Sequence, residues 1–357
     1  MTVAEPAGPD ANMSRDAEQF FDAASQAFVR AVSRAGVREH DLAIAGEVVR
    51  LRFAGDALEP MLLPALEHLR VTGGVQSDPG LTVAFFDSES TGELMPAPAW
   101  GPLDWGTKGE IAGFNDDRFR TLFQPGVDIL NLYDAVRRAA LYWVAARRVV
   151  PWWESSFPLR TILHWWCAPT PLQPVHAGGV GRDRRGVLVA GNSGAGKSTT
   201  TLACLEADMD YVGDDYVLVD VEALRVHSLY GTAKLEPDNL KRFPALAPLI
   251  VNAERLDVEK AMAFLHDYRP ERLVAGLHVQ AIVMPTVTGL RRSHLEAASP
   301  AEALRVLAPT TSYHLPGYRR EVFTKLTALV RALPCYRLHA GTDLEQVAAT
   351  VAGLVES

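Results

Sequence analysis

The segment Gly191-Asn-Ser-Gly-Ala-Gly-Lys-Ser198 satisfies every position of the pattern G-x-x-x-x-G-K-S. Gly191, Gly194 and Gly196 are free to take backbone angles barred to other residues. Their missing side chains let backbone N–H groups close around phosphate oxygens, with Asn192, Ser193, Ala195 and Thr199 completing the stretch. A helix beginning at the end of this loop points a partially positive N-terminus at the same anion. Lys197 supplies a full charge to the terminal phosphates, and the Ser198 hydroxyl is a hard oxygen suited to Mg²⁺. The expected ligand is therefore ATP or GTP with Mg²⁺. Context strengthens the match: an apolar, β-rich run ends at Ala190 and a helix-forming run follows Ser198.

A second cluster follows closely. Asp214-Asp215 ends an apolar run that starts near Tyr211. A helix of about ten residues spans roughly 15 Å, so one helix and one returning strand bring the pair back toward the loop. Neighbouring residues on a strand point to opposite faces. One carboxylate would then face a metal and the other an acceptor, with Gly213 allowing a kink. Phosphoryl transfer needs such a set: charge neutralisation by Mg²⁺ and a lysine, and a carboxylate to receive the acceptor's proton.

The elements that must hold these residues follow from periodicity and punctuation. Val175–Val180, a polar turn at Gly181–Arg185 and Gly186–Ala190 read as a hairpin, with a helix from the loop to about Ala207. Tyr211–Val219 and Leu277–Val287 read as strands. A helix over Arg319–Leu333, a short strand at Tyr336–Leu338 and a last helix from Thr342 complete the C-terminal half. Thr342 and Glu345 match a capping box there. In the N-terminal half, Ser14 is expected to cap a helix with Phe20, Phe21, Ala24, Phe28 and Val32 on one side. An extended Asp41–Phe53, a helix over Leu58–Leu69 and a strand at Leu81–Phe86 follow. Leu132, Val136, Ala139, Trp143 and Ala146 fall on one face of an expected helix from Leu132 to Arg147. Ser156 and Pro158 open another through Trp166. All seven tryptophans lie between Trp100 and Trp166, which points to core packing and domain docking. Pro169, Pro171 and Pro174 mark a boundary.

The expectation is thus an α/β protein. A tail, residues 1–13, precedes an α+β domain, residues 14–168, for substrate recognition or as a lid. A P-loop domain with a mixed sheet, residues 169–357, follows. A chain of 357 residues fits two domains. Its net charge of −8 gives no basic face for nucleic acid, and Arg182, Arg184 and Arg185 read as a solvated turn. Three scattered cysteines fit a reducing cytoplasm and give neither a disulfide frame nor a zinc spacing. No run reaches the length of a membrane span and the N-terminus lacks a signal-peptide pattern, so the expected location is cytoplasmic, without a membrane partner. A homo-oligomer is compatible with all of this.

At these residues the chain resembles the HPr kinase/phosphorylase superfamily, in its shorter HPr-kinase-like branch. His176-Ala-Gly-Gly, Gly191–Ser198 and Val212-Gly-Asp-Asp215 match its histidine-glycine strand, loop and aspartate pair. The resemblance is close over residues 170–230. It implies Asp214 as the acid/base residue, Asp215 near the metal, and His176 beside Asp214 to tune it. Thr199 stands where the bacterial HPr kinases carry a Glu, and Tyr230–Asp238 replaces their second signature. HPr as substrate and the reverse phosphorolysis therefore fall outside the expectation. Lys234 in that segment reads as an exposed lysine. The resulting expectation is an ATP- and Mg²⁺-dependent kinase acting on a serine-like hydroxyl of a peptide, protein or small molecule. Asp214, His176 and Lys197 form its catalytic set, and Ser198 with Asp215 its metal set. The competitors are a regulatory module that binds nucleotide and hydrolyses it slowly, and a conventional P-loop ATPase. The ATPase usually carries its metal aspartate much further along the chain.

Overall fold

The computed structural model describes residues 9–73 and 78–356. Contacts divide the chain into two units. One takes in residues up to Ala43, Glu47–Leu63 and Arg70–Trp166; the other holds Ile44–Gly46, Pro64–Leu69 and everything from Cys167 onward.

The first unit opens with α1 (Pro9–Ala35), which already contains Ser14, so that residue lies within the helix rather than capping it. Residues 1–8 of the expected tail lie outside the described residues. The buried stripe of α1 is Phe20, Phe21, Ala24, Ala27, Phe28 and Ala31. The stripe packs on a sheet of β1 (Val37–Ile44), β2 (Glu47–Ala54), β3 (Leu81–Asp87), β4 (Phe119–Gln124), β5 (Ile129–Asp134) and β6 (Ala139–Val144), in the order β1-β2-β3-β6-β5-β4. β2, β3 and β6 run parallel; β5 and β4 are antiparallel additions. The short helices α2 (Glu59–Leu62) and α3 (Ser88–Thr91) follow β2 and β3. The helix expected over Leu58–Leu69 is cut by Pro64 into α2 and a 3-10 turn. Trp100 sits edge-on to Phe20 and Phe114, with ring centroids at 4.6 and 5.0 Å.

The helix expected from Leu132 to Arg147 is instead the β5–β6 hairpin. Every residue of β5 is buried, so its apolar run has no strand alternation and fits a helical stripe equally well. Asp134 decides the matter. Its buried carboxylate accepts from the backbone N–H of Val136 and Arg137 and from the Arg118 guanidinium, which turns the chain before a helix can start. After the hairpin comes a short helix, α4 (Trp152–Ser156), and the helix expected from Ser156 and Pro158 through Trp166 is α5 (Arg160–Cys167), which starts two residues after Pro158.

The second unit is built on a nine-stranded mixed sheet. Its strands are β7 (Leu172–Val175), β8 (Ala177–Arg182), β9 (Arg185–Ala190), β10 (Asp210–Gly213), β11 (Val217–Asp220) and β12 (Arg225–His227), then β15 (Gly276–Val287), β16 (His294–Ala298) and β17 (Cys335–Ala340). β13 (Thr232–Leu235) and β14 (Ala261–Phe264) form a separate pair. β8 and β9 are joined by a two-residue turn, Asp183-Arg184, with both φ positive, as a hairpin's right-handed twist demands. β9, β15 and β17 are parallel neighbours. The helices are α6 (Lys197–Glu206), α7 (Pro237–Leu240), α8 (Pro300–His314), α9 (Arg319–Ala332) and α10 (Leu344–Glu356). Two separate apolar clusters flank the sheet: α6 and α10 pack on one face, α8 and α9 on the other. Leu202 and Leu205 of α6 are fully buried, each worth about 1.5–3 kcal/mol. The last helix starts two residues after Thr342, and Asp343 rather than Thr342 receives the N–H of Gln346. All three cysteines are buried and free. Among the described residues no helix is long and apolar enough to cross a membrane.

Candidate active site

The loop leaves the C-terminal end of β9 and enters α6 at Lys197. Its glycines serve two different needs. Gly194 and Gly196 have φ of 79° and 104°, the left-handed region that glycine enters freely. Gly191 is there for space: a Cβ would lie 3.0 Å from the Ala195 methyl and 3.2 Å from Cγ of Lys197. Asn192, Ser193 and Gly194 form the exposed tip. Lys197 is only 7% exposed, and its ammonium donates to the Gly191 carbonyl at 2.9 Å. Burial pulls its pKa down, against the upward pull of Asp215 and Asp214.

The expected strand Tyr211–Val219 is interrupted. β10 ends at Gly213, Asp214–Tyr216 lie between strands, and β11 resumes at Val217. β10 pairs with β8 and β11 pairs with β7, so the chain passes from one partner to the next at the same level as His176, which separates β7 from β8. The two breaks lie side by side, and that is why His176 meets the aspartate pair. Gly178 makes the approach close. A Cβ there would stand 2.6 Å from Cγ2 of Thr201 and 3.0 and 3.1 Å from the carbonyl oxygens of Gly213 and Asp214.

The two aspartates have different surroundings. Asp214 is 1% exposed. It accepts from Oγ1 of Thr201 at 3.3 Å and from the backbone N–H of Lys234 at 3.4 Å, and the Ser198 hydroxyl lies on the same side. Burial, then the charge of Asp215, push its pKa up to about 6, opposed by Ser198, Lys197 and the Lys234 N–H. Asp215 is the more open of the two. Its Oδ1 lies 2.5 Å from Nε2 of His176, and its Oδ2 lies 3.0 Å from the Lys234 ammonium. Burial alone would raise its pKa, but Lys234 and His176, with Lys197 behind them, outweigh burial and hold it well below the usual carboxylate range.

His176 therefore bonds Asp215, where the resemblance implied Asp214, and it is Asp214 that bonds Thr201 of α6. Lys234, expected to be exposed, is 9% exposed and lies on β13 with Asp215 as its ion-pair partner. The sequence carried no local signal for this: Thr232-Ala-Lys-Leu235, with two apolar residues and one lysine, fits an exposed turn as well as a strand buried on both sides. Tyr216 flanks His176, with ring centroids at 5.2 Å. Thr201, also missed, is part of the Asp214 shell.

Among the described residues, no group of three or more His, Cys, Asp and Glu is arranged to hold a metal ion. A Mg²⁺ site on a triphosphate asks for less, since phosphate oxygens and waters fill most of its octahedron. Ser198 at the start of α6 and Asp214 beside it are hard-oxygen donors, and that donor set fits Mg²⁺.

No family model and no curated relative matches the chain. Among solved structures it is similar to the HPr(Ser) kinase/phosphatase from Coxiella burnetii, with 12% identity, 52% of this chain and 94% of that chain covered, and a TM-score of 0.26. At that score the likeness adds nothing to the geometry above.

Proposed function

We propose that the second unit is an ATP-dependent phosphotransferase that moves the terminal phosphoryl group to a hydroxyl, serine-like acceptor on a peptide, protein or small molecule. The observation that carries this reading is the contrast within the aspartate pair: one carboxylate is buried behind the loop, bonded to Thr201 of the helix that follows it, and the other is clamped by His176 and Lys234.

In this reading the loop N–H groups and Lys197 bind the triphosphate, and Ser198 and Asp214 hold Mg²⁺. When bound, that ion neutralises charge on the phosphate oxygens. Asp215 takes the position the resemblance gave to Asp214. It receives the acceptor's proton as the acceptor oxygen bonds to phosphorus and the bond to the bridging oxygen breaks, leaving a nucleoside diphosphate. Its low pKa keeps it ionised at working pH. A loose transition state lets the proton move late, when the acceptor oxygen has become acidic. His176 fixes the carboxylate's orientation, and Lys234 adds positive charge beside the transferring group.

The test is labelling of a soluble cell extract with γ-labelled ATP, beside nucleotide titration of the same proteins. Asp215→Asn should bind nucleotide nearly as wild type and lower transfer by about 10²–10⁴-fold. Asp214→Asn should raise the Mg²⁺ requirement. Lys197→Ala should lose nucleotide binding or turnover. Wild-type transfer in Asp215→Asn would sink the base assignment. Slow hydrolysis with no labelled acceptor would favour the regulatory-module reading.

A further inference from the structure

The catalytic groups all lie on one side of the loop. His176, Asp214 and Asp215 sit where β7, β8, β10 and β11 meet, and β8 is the hairpin partner of β9. The other neighbour of β9 is β15, followed by β17. Gly191 and Asn192 of the loop also line a cleft on the β15 side, so a triphosphate whose terminal phosphate meets Lys197 and the aspartates has a continuous path across them toward that side. The cleft, of about 280 Å³, lies at the C-terminal ends of β9 and β15, beside Arg337 of β17 and the first two turns of α8. Its position outside the strand ends is where open α/β sheets bind ligands, and its volume is at the small end for ligand sites.

Its chemistry is specific. Met284 and Val306 supply apolar walls, and Thr286 and Asn192 supply polar edges. Arg337 crosses it with its guanidinium fixed, 2.5 Å from Glu302 and 2.8 Å from Glu296. Glu302 is itself immobilised as the capping-box partner of Ser299 at the start of α8. Arg305 stands at the rim, exposed, with no ion pair among the described residues. Fixed and free guanidinium planes beside a thioether and an apolar wall suit a flat, acceptor-rich ring system, by stacking and by donation to ring nitrogens.

We propose that this cleft binds the purine ring and ribose of the nucleoside triphosphate, with Arg305 and Arg337 as its recognition residues. The proposal rests on the reading of the loop as a triphosphate site. A purine is favoured over a pyrimidine because it offers the larger stacking face and more acceptors to the two guanidiniums.

Equilibrium dialysis of Mg²⁺ complexes of ATP, GTP, CTP and inorganic tripolyphosphate tests it. Arg305→Ala changes an exposed side chain and should weaken ATP and GTP by about tenfold. Val306→Phe fills the cleft and should weaken them further. Tripolyphosphate should bind both variants as it binds wild type, and CTP should bind wild type more weakly than the purine nucleotides. Unchanged ATP affinity in both variants would overturn the proposal. So would equal losses for ATP and tripolyphosphate, which would make the cleft a phosphate site, and so would CTP binding as tight as ATP. If wild type bound none of the four, the loop reading itself would fall.

Discussion

His68 sits in a 3-10 turn that belongs to the second unit, with Nε2 2.7 Å from the Ser228 hydroxyl. Its ring packs so tightly on Gly231 that a Cβ there would lie 2.9 Å from Nδ1. Burial, then the nearby His266, lower its pKa from 6.5 to about 4. The sign follows from proton counts: between those values the unfolded chain binds a proton that the folded chain refuses, so stability rises with pH. The contribution is whole above pH 6.5 and is lost as pH falls toward 4, with an upper bound of about 3 kcal/mol. Denaturant midpoints of wild type and His68→Gln should therefore converge as pH drops from 7 to 4.5. A constant gap would show that the imidazole titrates normally. Lys234 and His68 were both hidden in the sequence for the same reason. A titratable side chain shows its type there but not its burial, and burial makes one an ion-pair partner and the other a neutral packing group.

At the scale of elements, the site depends on two strand breaks being adjacent, and Gly178 is the residue that lets them touch. Gly178→Ala would drive a methyl into Thr201 and into two backbone carbonyls, which do not yield as a side-chain tip does. The expected cost is about 1–3 kcal/mol in denaturant unfolding, with a fall in transfer because Asp214 and Thr201 are displaced together. Gly353→Ala in α10 is the control: nothing lies within 4 Å of its added methyl, and a helix gains about 0.5–1 kcal/mol. Equal stability of the two variants would remove the packing argument. The loop, α6 and the aspartate pair were legible because each carries chemistry at fixed spacing. The bond from His176 to Asp215 was not, because it depends on β10 pairing with β8 while β11 pairs with β7, and pairing partners are not written locally. The β5–β6 hairpin was misread for a different reason: a strand buried on both faces loses the period-two signal.

At the scale of the molecule, each unit has apolar packing of its own. The α1 sheet has its own core, and the nine-stranded sheet has one on each face. The loop, the aspartate pair, Lys234 and the purine cleft all belong to the second unit. A ligand stabilises the state it binds by mass action, about 2.7 kcal/mol when free ligand is a hundredfold above Kd. Mg²⁺–ATP should therefore protect the unit that contains its site, and calorimetry should show a transition that moves up by roughly 5–10 °C. Hydrogen exchange assigns that transition to its residues. Protection should increase in β9, α6, β10 and β15, which surround the loop, while β2, β3 and β6 of the first unit exchange at their ligand-free rates. Tripolyphosphate should give a smaller shift than ATP at equal concentration, because it reaches the loop but leaves the cleft beside β17 unfilled. Lys197→Ala should show its own transition without the nucleotide-dependent movement, since the charge that meets the terminal phosphates is gone. Equal added protection in both units would mean that nucleotide is read by the whole chain, and no shift at all in wild type would remove the triphosphate site on which the proposed transfer depends.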